Sequence, residues 1–461
     1  MQRYRLARPA LPGLIIVLAG CSVPTQRENL DVTARLVSEQ VSAPLEWRLD
    51  SSADAAARTR ADAMLADGLT MQESIAVSFL ASPDLQLALE RLEVTRADFV
   101  AAATSSNPVA LVGSRSPQGD LSAFYPGRSW SFGVLQNVID LLKIPARRSV
   151  ARLDLERARH EAANSAIRVA AEVAQSWINY AAALQVQGLR EQAVAVNQVA
   201  YDRLLADQPG NPDLTANVMD RQLGLLLERK ADAVRARLDA TRAREKLGQQ
   251  LGLTGVRDDW NVQQTLPEMP ASDPDEAAGE QAAMQRRLDI LAANEAVDAR
   301  LRTLAHQRRF RWLNQLDIGL FRDQASGGAS FTGPSAVVEI PVFDRRKALL
   351  LKADSQLRTE LRSLEATRLA ARSDIRTRAA ELAAGRELVE QIEQQIQPVQ
   401  RQRQANPTGG EPDNMDRLNL RLDMLTSEVN RIQLLRDYWR ARLSLALAAG
   451  DWGGLSGINP E

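Results

Sequence analysis

Residues able to do covalent or metal chemistry are scarce in this chain. Its 461 residues include two histidines, His160 and His306, and a lone cysteine, Cys21. These three stand far apart, so neither a His/Cys metal cage nor a Cys/His dyad can be assembled within one chain with much freedom. The sequence also lacks a Gly-rich phosphate loop and a CxxC pair. An enzyme is therefore poorly supported, and no catalytic residue, cofactor or metal ligand is assigned. The 57 basic and 58 acidic residues leave a net charge of −1, which removes the electrostatic footprint of a nucleic-acid binder. Two features keep some chemical interest. Asp413 and Asp416 stand three apart, hence on neighbouring positions of one helical face. Arg300, Arg302, His306, Arg308, Arg309 and Arg311 form a basic run, which reads either as a solvated helix face or as a cationic patch.

The position of the cysteine is informative. Residues 1–20 read as a secretory signal, with Arg3, Arg5 and Arg8 as a positive start and Leu14 to Ala19 as a short apolar stretch. That stretch is too short to span a bilayer as a helix. It ends in Leu18-Ala19-Gly20-Cys21, which resembles a bacterial lipobox. The small residues fit a peptidase cleft, and the Cys21 thiolate takes the diacylglycerol of a palmitate-bearing lipoprotein. Ser22, rather than Asp, follows the cysteine and resembles the pattern sorted to the outer membrane. A single acylated terminus holds a protein on a membrane only weakly unless something else helps.

The elements that must position these residues are mostly helical. Aromatic residues are 4% of the chain while 45% is apolar, so the hydrophobic material is mainly Ala, Leu and Val, which favours closely packed helices. The chain also divides into two similar halves offset by about 198 residues. Val138-Ile139-Asp140-Leu141 aligns with Val337-Val338-Glu339-Ile340, Asp220-Arg221 with Asp416-Arg417, and Leu251-Gly252 with Ala449-Gly450. This predicts an N-terminal segment over 21–68, a first repeat over 69–253, a proline-broken polar linker over 254–280, a second repeat over 281–450 and a tail over 451–461. Within each repeat a long rod is expected, 147–205 and 345–404. The first would measure roughly 88 Å at 1.5 Å per residue. Ala163, Ala166, Ala170, Val173, Trp177 and Ala181 follow steps of three and four, as do Leu357, Leu361, Leu364, Ile375 and Leu382. Each rod is followed by a polar break and a return helix, so the rods should run as antiparallel coiled-coil pairs.

Ahead of each rod lies a segment of period two. Trp130, Phe132, Val134 and Val138 alternate with Ser129, Ser131, Gly133 and Asn137, and Leu316, Ile318 and Leu320 alternate with Gln315, Asp317 and Gly319. This is the pattern of a tilted membrane strand with one lipid-facing side. Partner strands are expected over Asn107–Ser114 and Ser335–Val342, with hairpin loops at 115–128 and 323–334. Four strands cannot close a barrel, and an open edge in hydrocarbon leaves backbone groups unpaired at several kcal/mol each. Three chains would supply twelve strands, an allowed number for an outer-membrane barrel.

Read together, these residues resemble the outer-membrane efflux ducts of the TolC type. Leu69-Thr70-Met71-Gln72-Glu73-Ser74-Ile75-Ala76 with Ser82-Pro83-Asp84-Leu85 is similar to the family's opening helix, Arg287-Leu288-Asp289-Ile290 to its counterpart in the second half, and Ile139 to Arg148 to the strand end leading into the long helix. The resemblance covers about residues 69–450. It implies a mainly α fold with membrane β: a periplasmic α-barrel of coiled-coil helices below a homotrimeric twelve-stranded β-barrel. It also implies a lipid-anchored outer-membrane protein that extends into the periplasm. Its partners would be an inner-membrane efflux pump and a periplasmic adaptor, or membrane fusion protein.

By the same resemblance, Asp413 and Asp416 match paired acidic residues at the tunnel's periplasmic constriction, joined by Asp220 in the first half, where Asn217 replaces the other carboxylate. In a trimer each Asp becomes a ring of three like charges that selects against anions, although Asp413 also reads as a helix N-cap. The family's hydrophobic-glycine tips, which meet the adaptor, are replaced here by a turn containing Pro209, Gly210 and Asn211 and by one containing Pro407, Gly409 and Gly410, which should be stiffer. Pro145 with the two arginines after it, and Asn107-Pro108, are similar to the branch serving heavy-metal pumps, yet no His/Cys cluster would coordinate a soft metal. The alternatives are a periplasmic coiled-coil lipoprotein acting as a structural tether, or a pump adaptor. An adaptor should carry one helical hairpin and substantial soluble β domains.

Overall fold

The computed structural model describes residues 23–452, apart from 49–50, 66–67, 117–126, 208–215, 256, 313–314, 326–327, 342–343, 397, 399–401 and 403–413. Cys21 therefore lies outside the described residues, as do Asp413 and the tip residues Pro209, Gly210, Asn211, Pro407, Gly409 and Gly410.

Two short helices come first, α1 (Gln26–Ser38) and α2 (Ser51–Met64). Thr25 and Glu28 form a reciprocal capping box at α1, which satisfies two N-terminal donors that the helix itself cannot. The first repeat then runs through α3 (Met71–Ala81), α4 (Pro83–Ala103), strands β1 (Val109–Arg115) and β2 (Ser129–Asn137), the rod α5 (Val138–Asp207) and its return helix α6 (Ala216–Gln250). The second repeat has the same order: α7 (Glu276–Arg286), α8 (Leu288–Arg309), β3 (Leu316–Gln324), β4 (Ser330–Val338), the rod α9 (Lys347–Gln391) and α10 (Asn414–Ala449).

The rod α5 begins directly at the end of β2 and carries Pro145 inside it. It is longer at its start than the periodicity suggested, about 105 Å at 1.5 Å per residue. Pro145 is the eighth residue of the helix, so it lacks an N–H that would otherwise donate to the Leu141 carbonyl, and the ladder loses one bond near the helix start. The second rod departs from α-geometry before its end, as a π-helical segment over Ile392–Ile396. Pro398 supplies no N–H to the preceding turn, which explains why the regular ladder loosens there.

Packing follows from small side chains. Ala163, Ala166, Ala170, Ala174 and Ala181 of α5 are fully buried, and such a stripe lets neighbouring backbones approach closely. In its sheet-proximal part α5 packs on α4, where Leu92 and Phe99 meet Leu155 and Ala162. Farther along it packs on α6 and α10, with Ala193 against Leu422 and Leu425. The rod α9 does the same with α8 and then α10. The repeat also extends to the helix ends. Gly252 and Gly450 both adopt left-handed backbone, φ +69° and +64°, just beyond α6 and α10. This is the usual helix-ending position for glycine. Gly252 abuts Ala81 at the α3–α4 break, and Gly450 abuts Arg286 and Arg287 at the α7–α8 break. Each return helix thus ends where a sheet-bound helix starts.

The proline-rich linker is an extended strap against the rods. Leu69 and Val262 form a parallel bridge, and the Trp177 indole donates to the Leu69 carbonyl at 2.9 Å. Trp260 is buried beside Tyr180, with the Arg244 guanidinium 4.8 Å from its ring. Farther along, the Trp439 indole donates to the Pro267 carbonyl at 2.9 Å. Asp273 is the strap's anchor. It accepts from Arg386 at 2.6 and 2.9 Å, from the Tyr438 hydroxyl at 2.7 Å and from Arg442 at 2.8 Å. Burial opposes ionisation of Asp273, but the hydrogen bonds from Arg386 and Tyr438 outweigh it and hold the carboxyl below its ordinary range. Burial and the adjoining carboxylate push the Tyr438 phenol up to about 12.

Candidate functional site

The described strands form one antiparallel sheet in the order β1-β2-β3-β4. Val112 pairs with Phe132, Val134 with Leu320, and Ile318 with Ala336. Directly paired residues share a face, so Val112, Trp130, Phe132, Val134, Ile318, Leu320 and Val338 stand on the same side. All of these are exposed. Trp130 and Phe132 stack with ring centroids 6.4 Å apart. Leu316 lies on this face too, half-buried at its helix-proximal edge.

The opposite face mixes glycines with polar and larger apolar side chains. Gly113, Gly133, Gly319 and Gly333 lie there with Ser131 and Asp323, and the Ser131 hydroxyl donates to Asp323 Oδ1 at 2.6 Å. Leu135 is buried on this side. A side chain at Gly319 would place its Cβ 1.8 Å from the Val134 carbonyl oxygen, a distance no non-bonded pair tolerates. The glycine is therefore required by the sheet.

Strand boundaries in the second hairpin differ from the expected ones. The connection is confined to 325–329, β3 reaches Gln324, and β4 covers Ser330–Val338 rather than Ser335–Val342. Asp323, Thr332 and Gly333 look like loop residues by composition, yet Asp323 pairs with Phe331, Thr332 with Arg322 and Gly333 with Phe321. Strand ends that reach past an apolar band are polar on both faces, so composition alone misplaces them. Phe331, 71% exposed, was hidden within that expected loop. Its spacing from other apolar positions was the available signal.

Asp220 and Asp416 are both exposed, Asp416 in the first turn of α10 and Asp220 just past the first turn of α6. These helix starts lie at the end of the rods remote from the sheet. His160 sits in α5 and His306 in α8. Burial pushes both imidazoles down from their ordinary range, aided at His306 by Lys143, Arg147, Arg346 and Arg309. Among the described residues no group of three or more His, Cys, Asp or Glu side chains could hold a metal ion. No described helix is long and apolar enough to cross a membrane.

No protein-family model matches this sequence, and no curated relative does. Solved structures do match in three dimensions. A membrane protein from Pseudomonas aeruginosa superposes with a TM-score of 0.67 at 19% identity, covering 82% of this chain and 92% of the other. CusC gives 0.67 at 16%, covering 84% and 93%. The MtrE outer-membrane channel of Neisseria gonorrhoeae, solved in its open state, gives 0.65 at 16%, covering 83% and 89%. The fold is that of the outer-membrane channels. The match spans most of both partners, so it takes in the strands of this chain together with its long rods. The one-hairpin-plus-soluble-β architecture expected of an adaptor is not what the described residues adopt.

Proposed function

We propose that this chain is a member of the TolC-type ducts and forms the outer-membrane channel of a tripartite efflux system. Three copies close a twelve-stranded barrel, because β1 and β4 are the sheet's two edges and an unpaired edge is untenable in hydrocarbon. The observation that carries this reading is the apolar face running from Val112 through Phe132 and Val134 to Leu320, mounted on long rods, the first of them about 105 Å. A tether needs the rods but has no use for such a sheet. Substrates pass from an inner-membrane pump and a periplasmic adaptor through the helical tunnel and out of the barrel.

Two further assignments belong to this reading. Cys21 carries the acyl anchor after removal of residues 1–20, and the sheet supplies the second membrane attachment that a single acyl chain lacks. The turns containing Pro209, Gly210 and Asn211 and Pro407, Gly409 and Gly410 face the adaptor, with Asp413, Asp416 and Asp220 forming acidic rings just inside.

The test is purification from outer membranes in mild detergent. The expected result is a trimer with combined helix and sheet signals in circular dichroism that produces cation-preferring steps in a planar bilayer. A water-soluble monomer that leaves the bilayer silent would refute the channel.

A further inference from the structure

Where the sheet meets the helices, basic and aromatic side chains from distant segments converge. Phe310, next after α8, has Lys143 Nζ at 5.7 Å and the Arg309 guanidinium at 5.6 Å from its ring centre. Trp312 has Arg311 at 4.4 Å and Arg345 at 5.8 Å, and the indole is 51% exposed. Arg346 belongs to the same group: Lys143 and His306 both feel its charge along with that of Arg147. Three carboxylates accompany these six cations. Asp140 pairs with Arg147 at 2.8 Å, Glu339 acts on Lys143, and Asp344 accepts from the Arg346 backbone N–H at 2.7 Å. The group keeps a positive excess.

Its level in the molecule identifies what it meets. The apolar face of the sheet continues past β4 to Ile340, which shares the side of Val338 because the Glu339 N–H extends the ladder to the Gln315 carbonyl at 3.2 Å. Ile340 is 73% exposed. The basic group begins within a few residues of it, at Arg345 and Arg346. Apolar surface giving way to Trp and then to guanidinium groups is the order in which a protein passes from acyl chains into headgroups.

We infer that this collar binds the anionic headgroups of phospholipids in the periplasmic leaflet, clamping each chain at fixed depth. Guanidinium groups suit phosphate diesters because they donate in a planar fork, and aromatic rings hold them in place while leaving donors free. The inference rests on membrane insertion of the sheet. Part of the basic run visible in sequence, His306, Arg309 and Arg311, enters the collar, while Arg300 turns away to Glu360 at 3.6 Å.

The experiment compares the intact trimer with its Arg309→Gln/Arg311→Gln/Arg345→Gln variant. Each is reconstituted in vesicles of phosphatidylcholine alone or with phosphatidylglycerol, and co-purifying lipid is counted by native mass spectrometry. Each basic group near an anionic surface strengthens binding by about fivefold, so the variant should lose roughly tenfold or more of its phosphatidylglycerol retention. It should still insert and conduct, and the corresponding triple Lys variant should recover most of the retention. Equal retention of both lipids by the wild type, or unchanged retention in the Gln variant, would overturn the collar alone. Displacement of phosphatidylglycerol by millimolar glycerol phosphate would reassign the group to a soluble anion and overturn it likewise. Failure of the wild type to enter either vesicle would bring down the channel reading and the collar together.

Discussion

At the residue scale, single atoms decide whether the sheet can form. Gly319 has no room for a Cβ, which would stand 1.8 Å from the Val134 oxygen. Gly319→Ala should therefore separate β2 from β3 and cost about 3 kcal/mol or more, read as a lowered midpoint in thermal unfolding followed by circular dichroism. Gly333 faces open space, so Gly333→Ala serves as the tolerated control. Charge matters in the same local way at the rod ends. If Asp413 and Asp416 line a constriction, Asp413→Ala with Asp416→Ala raises the trimer's conductance and weakens its cation preference in a planar bilayer. Unchanged values would leave Asp416 as one more solvated residue on α10 and Asp413 as a helix cap. Asp416 and Asp220 were legible from the repeat because their aspartate-arginine pairs recur at similar offsets. The collar was legible only in part: Arg309 and Arg311 adjoin its two rings in the basic run, whereas Lys143, Arg345 and Arg346 come from segments that only the fold joins.

At the element scale, the strap that crosses the rods is held by few groups, and its strength should depend on pH. Asp273 has a folded-state pKa below the ordinary carboxylate value, so its contribution is fully present above about pH 4. It is lost as pH falls through the lower folded value. Asp273→Asn should flatten the acid limb of the thermal stability curve and lower stability at pH 7 by about 3 kcal/mol, because the guanidinium groups of Arg386 and Arg442 lose their shared partner. An acid limb identical to the wild type's would show that another carboxylate governs it. The helix-ending glycines offer a second comparison. Gly252→Ala meets both a left-handed backbone and an Ala81 oxygen 3.0 Å away, whereas Gly450→Ala has its nearest neighbour at 3.5 Å. The left-handed conformation alone costs about 1 kcal/mol. Denaturant titration should therefore place Gly252→Ala below Gly450→Ala, and the reverse order would mean that the Ala81 contact relaxes freely. The composition of 254–280 announced a break in the helices. Its prolines and acids did not disclose a packed strap, because Trp260, Val262 and Leu266 find their burial against helices distant in sequence.

At the scale of the whole molecule, much of the design was written in local periodicity. A three-to-four step of Ala and Leu makes a rod, a two-step of aromatic and small residues makes a sheet face, and their recurrence after about 198 residues makes two repeats. These patterns survive without knowledge of the fold because each concerns neighbours along the chain. The inventory of reactive residues was legible for a similar reason: two histidines and one cysteine bound what any arrangement could assemble. Tertiary structure alone decided the rest. It extended β3 to Gln324, where polar residues join the ladder because their partners on β4 lie opposite. It brought Asp273 to Arg386 and Arg442, 113 and 169 residues away. It gathered Lys143, Arg309, Arg311 and Arg345 around two rings beneath the sheet. Contacts across such separations depend on how rods cross and where strands end, and no pattern along the chain encodes that geometry.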